Sequence, residues 1–230
     1  MTGVPEVTVA DTIRWLHDEG LARLAGIGVD APTPLVAYTV EVATGIVTTF
    51  PASVHGPGTD VQAVPADDLP GPVANVRRLV VVGVTETESV LVLDLANIAE
   101  LEVHADRPES TVRAWVTQLL LDPTVTIATN SPDLTINAGD RCRQTFIPGG
   151  GTIVTVDDRQ PPVTTISLTP GLEAADRLEV ARDGSGRLYL GERFWQLRRV
   201  LRIDDLTWAA LTEDMEPEAP QYDSNPPGIL

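Results

Sequence analysis

The sequence LVVVGVTETESVLVLDL, residues 79–95, is the strongest structural signal in this chain of 230 residues. Residues 79–84 and 90–95 are almost wholly apolar, and the polar residues 85–89 lie between them. A short apolar run that ends at a polar turn is typical of a β-strand buried on both faces. The sequence therefore predicts two central strands, joined by a turn, with protein packed on both sides.

One helix and two strands are predicted before this stretch. Residues 8–25 carry apolar side chains at helical spacing, with Thr8 and Asp11 as N-terminal capping residues, and the helix ends at 26–28. The β-branched residues at 35–42 and 46–50 predict a strand pair, which turns at Thr44 and Gly45.

A Pro-rich insert follows this strand pair. Residues 51–75 contain five Pro among several Gly and Asp residues. Such a composition predicts a long loop or a partly disordered insert.

The segment after residue 95 predicts a strand, a helix and another strand. Residues 101–104 form the short strand, and Asp106 is the expected N-cap of a helix that begins at Pro108. The helix has one apolar face and ends before Pro123, and strand 125–129 follows it.

From residue 142 the apolar period changes to two, which is typical of antiparallel strands. The predicted strands are 142–147, 152–156, 163–168, 178–181 and 187–190, with turns at 148–151 and 183–186. A last helix is predicted at 204–212 and a disordered acidic tail after it.

These elements predict a mixed α+β fold. It has a central, largely β core, two or three amphipathic helices and a C-terminal antiparallel β portion. The expected units are an N-terminal helix (1–30), an α/β domain (31–140) with the Pro-rich insert at 51–75, an antiparallel portion with its closing helix (141–212), and the tail (213–230).

Composition excludes several functions. The chain has 33 acidic and 16 basic residues, a formal charge of −17 and no Lys, which excludes P-loop, Schiff-base and protein kinase chemistry. Either high-GC codon usage or selection against a modifiable amine explains the missing Lys. The single Cys142 excludes an intramolecular disulfide and any Cys-x-x-Cys site.

The same features limit the classes of partner and the cellular compartment that we expect. The acidic charge opposes binding to nucleic acid and to anionic lipid, so no nucleic acid partner is expected. Because the sequence shows neither an 18-residue apolar run nor a signal peptide, we expect no membrane insertion and a cytoplasmic location.

Charge is unevenly distributed along the chain. Residues 1–76 contain nine acidic residues and only two Arg, whereas residues 177–202 contain seven Arg and three acidic residues. This polarity predicts contact between the two regions, within one molecule or between copies. Alternatively, the Arg residues solvate one face of a β-ribbon.

Aromatic and Arg residues cluster inside this basic region, and both types are enriched in protein interfaces. The predicted interaction residues are Arg193, Phe194, Trp195, Arg198, Arg199 and Arg202. Core packing of Trp195 with Leu197 and Val200 is the alternative interpretation.

The sequence predicts no metal site, no cofactor and no catalytic residue. His104 and Asp106 are suitable for a general base and its partner, but no nucleophile or third ligand has a spacing that ties it to them. Residues 17–19 point in different directions on a helix, and residues 148–151 join strands rather than open a helix.

Part of the chain resembles a known family. The apolar strand ending at Gly83, the acidic turn, the strand ending at Asp94 and the helix containing Trp115 occur in the order found in actinobacterial proteins that combine LysM and bacterial transcriptional activator domains. They resemble the uncharacterised segment of those proteins, as do residues 188–190 and 203–211, over about half of the chain. Residues 103–105 replace an expected glycine-containing turn, and no LysM or transmembrane segment is visible.

That resemblance implies a regulatory or assembly module. We therefore expect a non-enzymatic interaction or assembly subunit of an actinobacterial-type system, which binds a protein partner or itself. Two alternatives are a structural component of a phage virion or injection machine, and a hydrolase that uses His104 and Asp106.

Overall fold

The computed structural model describes residues 7–146, 150–169 and 175–214. Within them the chain forms helices and one mixed 13-stranded sheet, connected by loops, which confirms the α+β class. The strands are β1 (Leu35–Glu41), β2 (Val47–Pro51), β3 (Gln62–Val64), β4 (Leu79–Thr85), β5 (Ser89–Asp94), β6 (Glu100–His104), β7 (Thr126–Thr129), β8 (Cys142–Gln144), β9 (Ile153–Asp157), β10 (Thr164–Ser167), β11 (Arg177–Val180), β12 (Gly186–Leu190) and β13 (Arg193–Val200). The α-helices are α1 (Val9–Trp15), α2 (Leu21–Asp30), α3 (Pro108–Leu119) and α4 (Asp205–Asp214).

The strand order is β3-β2-β1-β5-β4-β13-β12-β11-β6-β10-β9-β7-β8. Most neighbouring strands are antiparallel, but β6 is parallel to both β10 and β11, and β7 is parallel to β8. Within the described residues, no helix is both long and apolar enough to cross a membrane.

The central strands are buried on both faces, as predicted. Every residue of β4 and β5 is buried. Val80 and Val82 belong to one apolar cluster, whereas the alternate residues Leu79 and Val81 belong to a second cluster on the opposite face. The sheet therefore separates two apolar cores.

The N-terminal helix covers the second core and begins as predicted. Thr8 and Asp11 form a capping box, in which the Asp11 amide donates to the Thr8 hydroxyl and Asp11 Oδ2 accepts from the Thr8 amide. Between α1 and α2 the helix widens into a π-helical turn at Leu16–Gly20.

The predicted end of this helix at residues 26–28 is wrong, because the helix continues to Asp30. Both glycines are sites of close packing. A Cβ atom at Gly26 would lie 3.1 Å from Pro70, and one at Gly28 would lie 2.9 Å from the Tyr38 hydroxyl. Tertiary contact therefore explains these glycines better than helix termination.

Helix α3 packs in the first core and contacts β4 directly. The Gln118 side chain accepts a hydrogen bond from the Val81 amide (2.7 Å) and donates one to the Val81 carbonyl (3.2 Å). The predicted N-cap of α3 is wrong: Arg107 occupies that position, and the Asp106 carboxylate forms an ion pair with Arg182.

The Pro-rich insert is partly structured. Residues 62–64 form the edge strand β3, paired with β2, and residues 66–68 form a single 3-10 turn. Backbone pairing to a neighbouring strand thus orders part of a segment that its composition predicts to be a loop.

The two predicted C-terminal turns have different outcomes. Ser185 donates to the Asp183 carboxylate in the turn that joins β11 and β12, so this hairpin is confirmed. The hairpin predicted at 148–151 is wrong, since β7 lies between β8 and β9 and pairs with both. Residues 147–149 and most of the predicted tail, 215–230, lie outside the described residues.

Candidate interaction surface

Strand register places two rows of polar and aromatic side chains on one face of the C-terminal part of the sheet. In the first row, Phe194 pairs with Tyr189, Tyr189 with Arg177, Arg177 with Glu102 and Glu102 with Ser167. The second row consists of Gln196, Arg187, Glu179 and His104. We call these two rows the outer face.

The apolar residues that alternate with these rows point the other way. Leu101, Val103, Leu178, Leu188 and Leu197 are completely buried in the first core. Because strand side chains alternate with a period of two, burial of these residues fixes the outward direction of the rows.

Aromatic and Arg side chains stack at one end of the outer face. The Phe194 and Tyr189 ring centroids are 5.2 Å apart, and Arg177 Cζ lies 4.1 Å above the centre of the Tyr189 ring. Phe194 remains 51% exposed. The arrangement combines an exposed apolar ring with a guanidinium group held on an aromatic surface, a combination common in protein interfaces.

Charged groups occupy the rest of the outer face. Arg177 Nε donates to Glu179 (3.0 Å), and His104 Nε2 lies 2.6 Å from Glu102 Oε2. Arg187 is exposed and forms no ion pair with any residue that the structure describes. Two Arg and two Glu residues give this face a formal charge near zero, while the whole chain carries −17.

The six predicted interaction residues do not form one surface. Phe194 points outward, whereas Trp195 lies on the inner face, where its ring meets Phe50 edge to face at 5.1 Å. Arg193 donates to the carbonyl oxygens of Pro51 and Ser53 (3.1 and 3.3 Å). These side-chain contacts connect the start of β13 to the end of β2, although the two strands are not neighbours in the sheet.

The remaining three predicted residues lie toward the other end of β13. Arg198 forms an ion pair with Glu88 at 2.8 Å, and both side chains are more than half exposed. Arg199 and Arg202 line a cleft of about 700 Å³ together with the Arg182–Asp106 ion pair. A bulge between Leu197 and Arg199 separates these positions from the outer face.

The predicted contact between residues 1–76 and 177–202 is present within the molecule, since Arg193 donates to the Pro51 and Ser53 carbonyl oxygens, but it does not consist of ion pairs. In the described parts of 1–76 and 177–202, no acidic residue of the first region pairs with an Arg of the second. The reverse combination occurs once among the described residues: His55 of the first region and Glu192 of the second lie 3.7 Å apart.

The candidate catalytic pair is not assembled. His104 contacts Glu102, and Asp106 is engaged with Arg182. In the part of the chain that the structure describes, no three His, Cys, Asp or Glu side chains are placed to hold a metal ion. The thiol of Cys142 is buried, and burial raises its pKa above the ordinary value.

Sequence reasoning did not identify Tyr189, Arg177 or Glu179 as parts of the surface. They lie on β11 and β12, whereas Phe194 lies on β13. They become its neighbours only through the register of the paired strands. Successive side chains of a strand point to opposite faces, so Phe194 and Trp195 cannot share one surface of β13. This alternation is the sequence signal that separates the two residues.

No protein-family model, curated protein or solved structure matches the chain.

Proposed function

We propose that this chain is a non-enzymatic assembly subunit, acting in the cytoplasm, that binds a second copy of itself through the outer face. The supporting observation is the Phe194–Tyr189–Arg177 stack beside balanced Arg and Glu residues. The proposal extends the resemblance seen in the sequence to a regulatory or assembly module.

The stack has the chemistry of an interface centre. Tyr and Arg are enriched among the residues that contribute most to protein–protein binding, and Phe is enriched at interfaces. Phe194 presents half of its surface to solvent, so a partner that covers it removes apolar area from water.

Electrostatics favours this face for contact between two copies. Each copy carries a formal charge of −17, so most approaches between copies are repulsive. On the outer face the formal charges of two Arg and two Glu residues cancel, so repulsion between two copies is smaller there than the net charge of the whole chain indicates.

The arrangement of charges on the outer face also fits a dimer with two-fold symmetry. In a symmetric dimer the same patch meets itself, so the patch must be self-complementary. Arg187 is exposed and is paired by register with Glu179, so both signs occur on the neighbouring strands β12 and β11.

Sedimentation equilibrium over a range of protein concentrations tests this function. We expect a reversible dimer that Phe194→Ser weakens by about tenfold or more, as for an anchor residue worth about 1.4 kcal/mol. Phe146→Ser is the matched control, because Phe146 is 88% exposed and lies beyond β8, at the far edge of the sheet.

Two outcomes would overturn the proposal. One is a monomer at every concentration. The other is a dimer that Phe194→Ser and Phe146→Ser affect equally, since that dimer would use another surface.

A further inference from the structure

A groove of about 560 Å³ lies between the N-terminal helix and the β1–β2 hairpin, far from the outer face in the strand order. Its apolar lining comes from Val7, Trp15, Val40, Val42 and Leu69. A volume of this size is typical of a site for a small molecule.

The π-helical turn shapes one wall of the groove. A π-helical turn holds one more residue than an α-helical turn, and such turns are frequent at functional sites. Here the indole of Trp15 lies over Gly20, where a Cβ atom would come within 2.8 Å of the ring. The Trp15 indole N–H donates to Glu19 Oε1 (3.0 Å), which fixes the orientation of the ring beside the groove.

More carboxylates than positively charged side chains line the groove. Asp11, Glu19 and Asp67 are lining residues, and among the described residues Arg23 is the only lining residue that carries a positive charge. Glu19 accepts from Trp15 and from Arg23, and these bonds lower its pKa below the ordinary value. Asp67 is exposed and has no ion pair with a described residue, so its charge is free to meet a ligand.

We propose that this groove binds a small amphipathic cation, in which an aromatic or aliphatic body carries one amine. The apolar walls match the body of such a ligand. The Asp67 carboxylate matches the ammonium group, since Asp11 and Glu19 already pair with Arg14 and Arg23, and the Trp15 indole in the wall offers a further attraction for a cation.

The dimensions favour a small molecule over a protein segment. A peptide that docks as a helix or strand needs an extended groove or a sheet edge. This groove is closed on one side by the helix and on the other by residues 66–69 and the hairpin turn at Gly45.

Isothermal titration calorimetry with 2-phenylethylamine at neutral pH tests the proposal, with 2-phenylethanol as the neutral probe of the same shape. We expect the amine to bind with a Kd of about 1 mM or tighter, given the few heavy atoms available. The alcohol should bind at least about threefold more weakly, since it lacks the charge.

Two adjacent aspartates provide a matched pair of variants. Asp67 lines the groove, whereas Asp68 is also exposed but is not a lining residue. Asp67→Asn should weaken amine binding by about threefold to tenfold, and Asp68→Asn should leave it within about twofold. Both variants change the net charge by the same amount.

Trp15→Leu tests the aromatic wall and should also weaken the binding of the amine. Its thermal unfolding midpoint shows whether the helix remains folded. Binding of the amine and the alcohol with equal affinity would overturn the proposal. Equal losses in Asp67→Asn and Asp68→Asn would also overturn it, because they would reflect the acidic surface as a whole.

Discussion

Arg78 and Asp158 form an ion pair in the interior of the protein, with 2.8 Å between Nη2 and Oδ1 and side-chain exposures of 0% and 2%. The Arg78 guanidinium also donates to the carbonyl oxygens of Val156, Gln160 and Pro162. One side chain, directly before β4, thus holds the loop between β9 and β10.

Removal of Arg78 should be strongly destabilising. Arg78→Ala leaves Asp158 buried without its counter-charge, so we expect the free energy of unfolding to fall by about 3–5 kcal/mol. Arg14→Ala is the control, since the Arg14 side chain is 69% exposed, and it should change stability by no more than about 0.5 kcal/mol. Urea denaturation measures both, and similar losses in the two variants would contradict a structural role for the buried pair.

The contribution of Asp94 to the free energy of unfolding should decrease as pH rises. It is 3% exposed, and burial raises its pKa above the ordinary value although Arg77 opposes the shift. The folded state therefore holds this proton more tightly than the unfolded state, whose Asp pKa is about 3.9. The stabilisation from this proton is fully present below that value and is lost as pH rises through the folded-state pKa.

Asp94→Asn removes this titration. The unfolding free energy of the variant minus that of the wild type should therefore increase as pH rises from about 3.5 to about 6.5. Urea unfolding at a series of pH values measures the difference. A difference that stays constant or decreases would contradict the raised pKa.

Gly83 allows β13 to approach β4. A Cβ atom at this position would lie 2.2 Å from the carbonyl oxygen of Arg199, whereas a Cβ at Gly71 would meet nothing within 4 Å. Gly83→Ala should lower the unfolding free energy by about 2–3 kcal/mol, as overpacking does. Gly71→Ala should leave it unchanged or raise it by up to about 1 kcal/mol, and thermal or urea unfolding compares the two.

Salt should strengthen the proposed dimer. The two copies repel through a formal charge of −17 each, and the contact at Phe194 is largely apolar. Raising NaCl from about 20 mM to about 300 mM shortens the Debye length from about 20 Å to about 6 Å and screens that repulsion. Sedimentation equilibrium should show tighter dimerisation at the higher salt, and dissociation there would indicate an interface dominated by ion pairs.

Local pattern predicted most of the elements. Residues 79–84 and 90–95 are almost wholly apolar because both faces of β4 and β5 meet a core, and burial of this kind can be predicted from composition alone. The N-terminal cap at Thr8 and the turn at Asp183 were predictable because they depend on side chains within three residues.

Pairing between strands that are distant in the sequence could not be predicted from local sequence patterns. The glycine-containing turn at 148–151 indicates a hairpin, yet β8 pairs in parallel with β7, a strand more than ten residues earlier. Gly26 and Gly28 look like a helix end because their packing partners, Pro70 and Tyr38, are distant in sequence.

The candidate surface was only partly predictable for the same reason. Phe194 stands out by composition, but its neighbours Tyr189 and Arg177 come from two other strands. Their stacking depends on the registers of β11, β12 and β13, which no single-sequence pattern fixes.

The absence of Lys from the chain makes one measurement especially direct, because an introduced Lys carries the only side-chain amine. Gln196→Lys places that amine on the outer face, and Gln62→Lys places it on the exposed edge strand β3, outside the outer face. A short amine-reactive cross-linker followed by peptide mass spectrometry should join residue 196 of one copy to residue 196 of the other, with little linkage at position 62. Equal linkage at both positions, or none at 196 under conditions where a dimer sediments, would contradict assembly through the outer face.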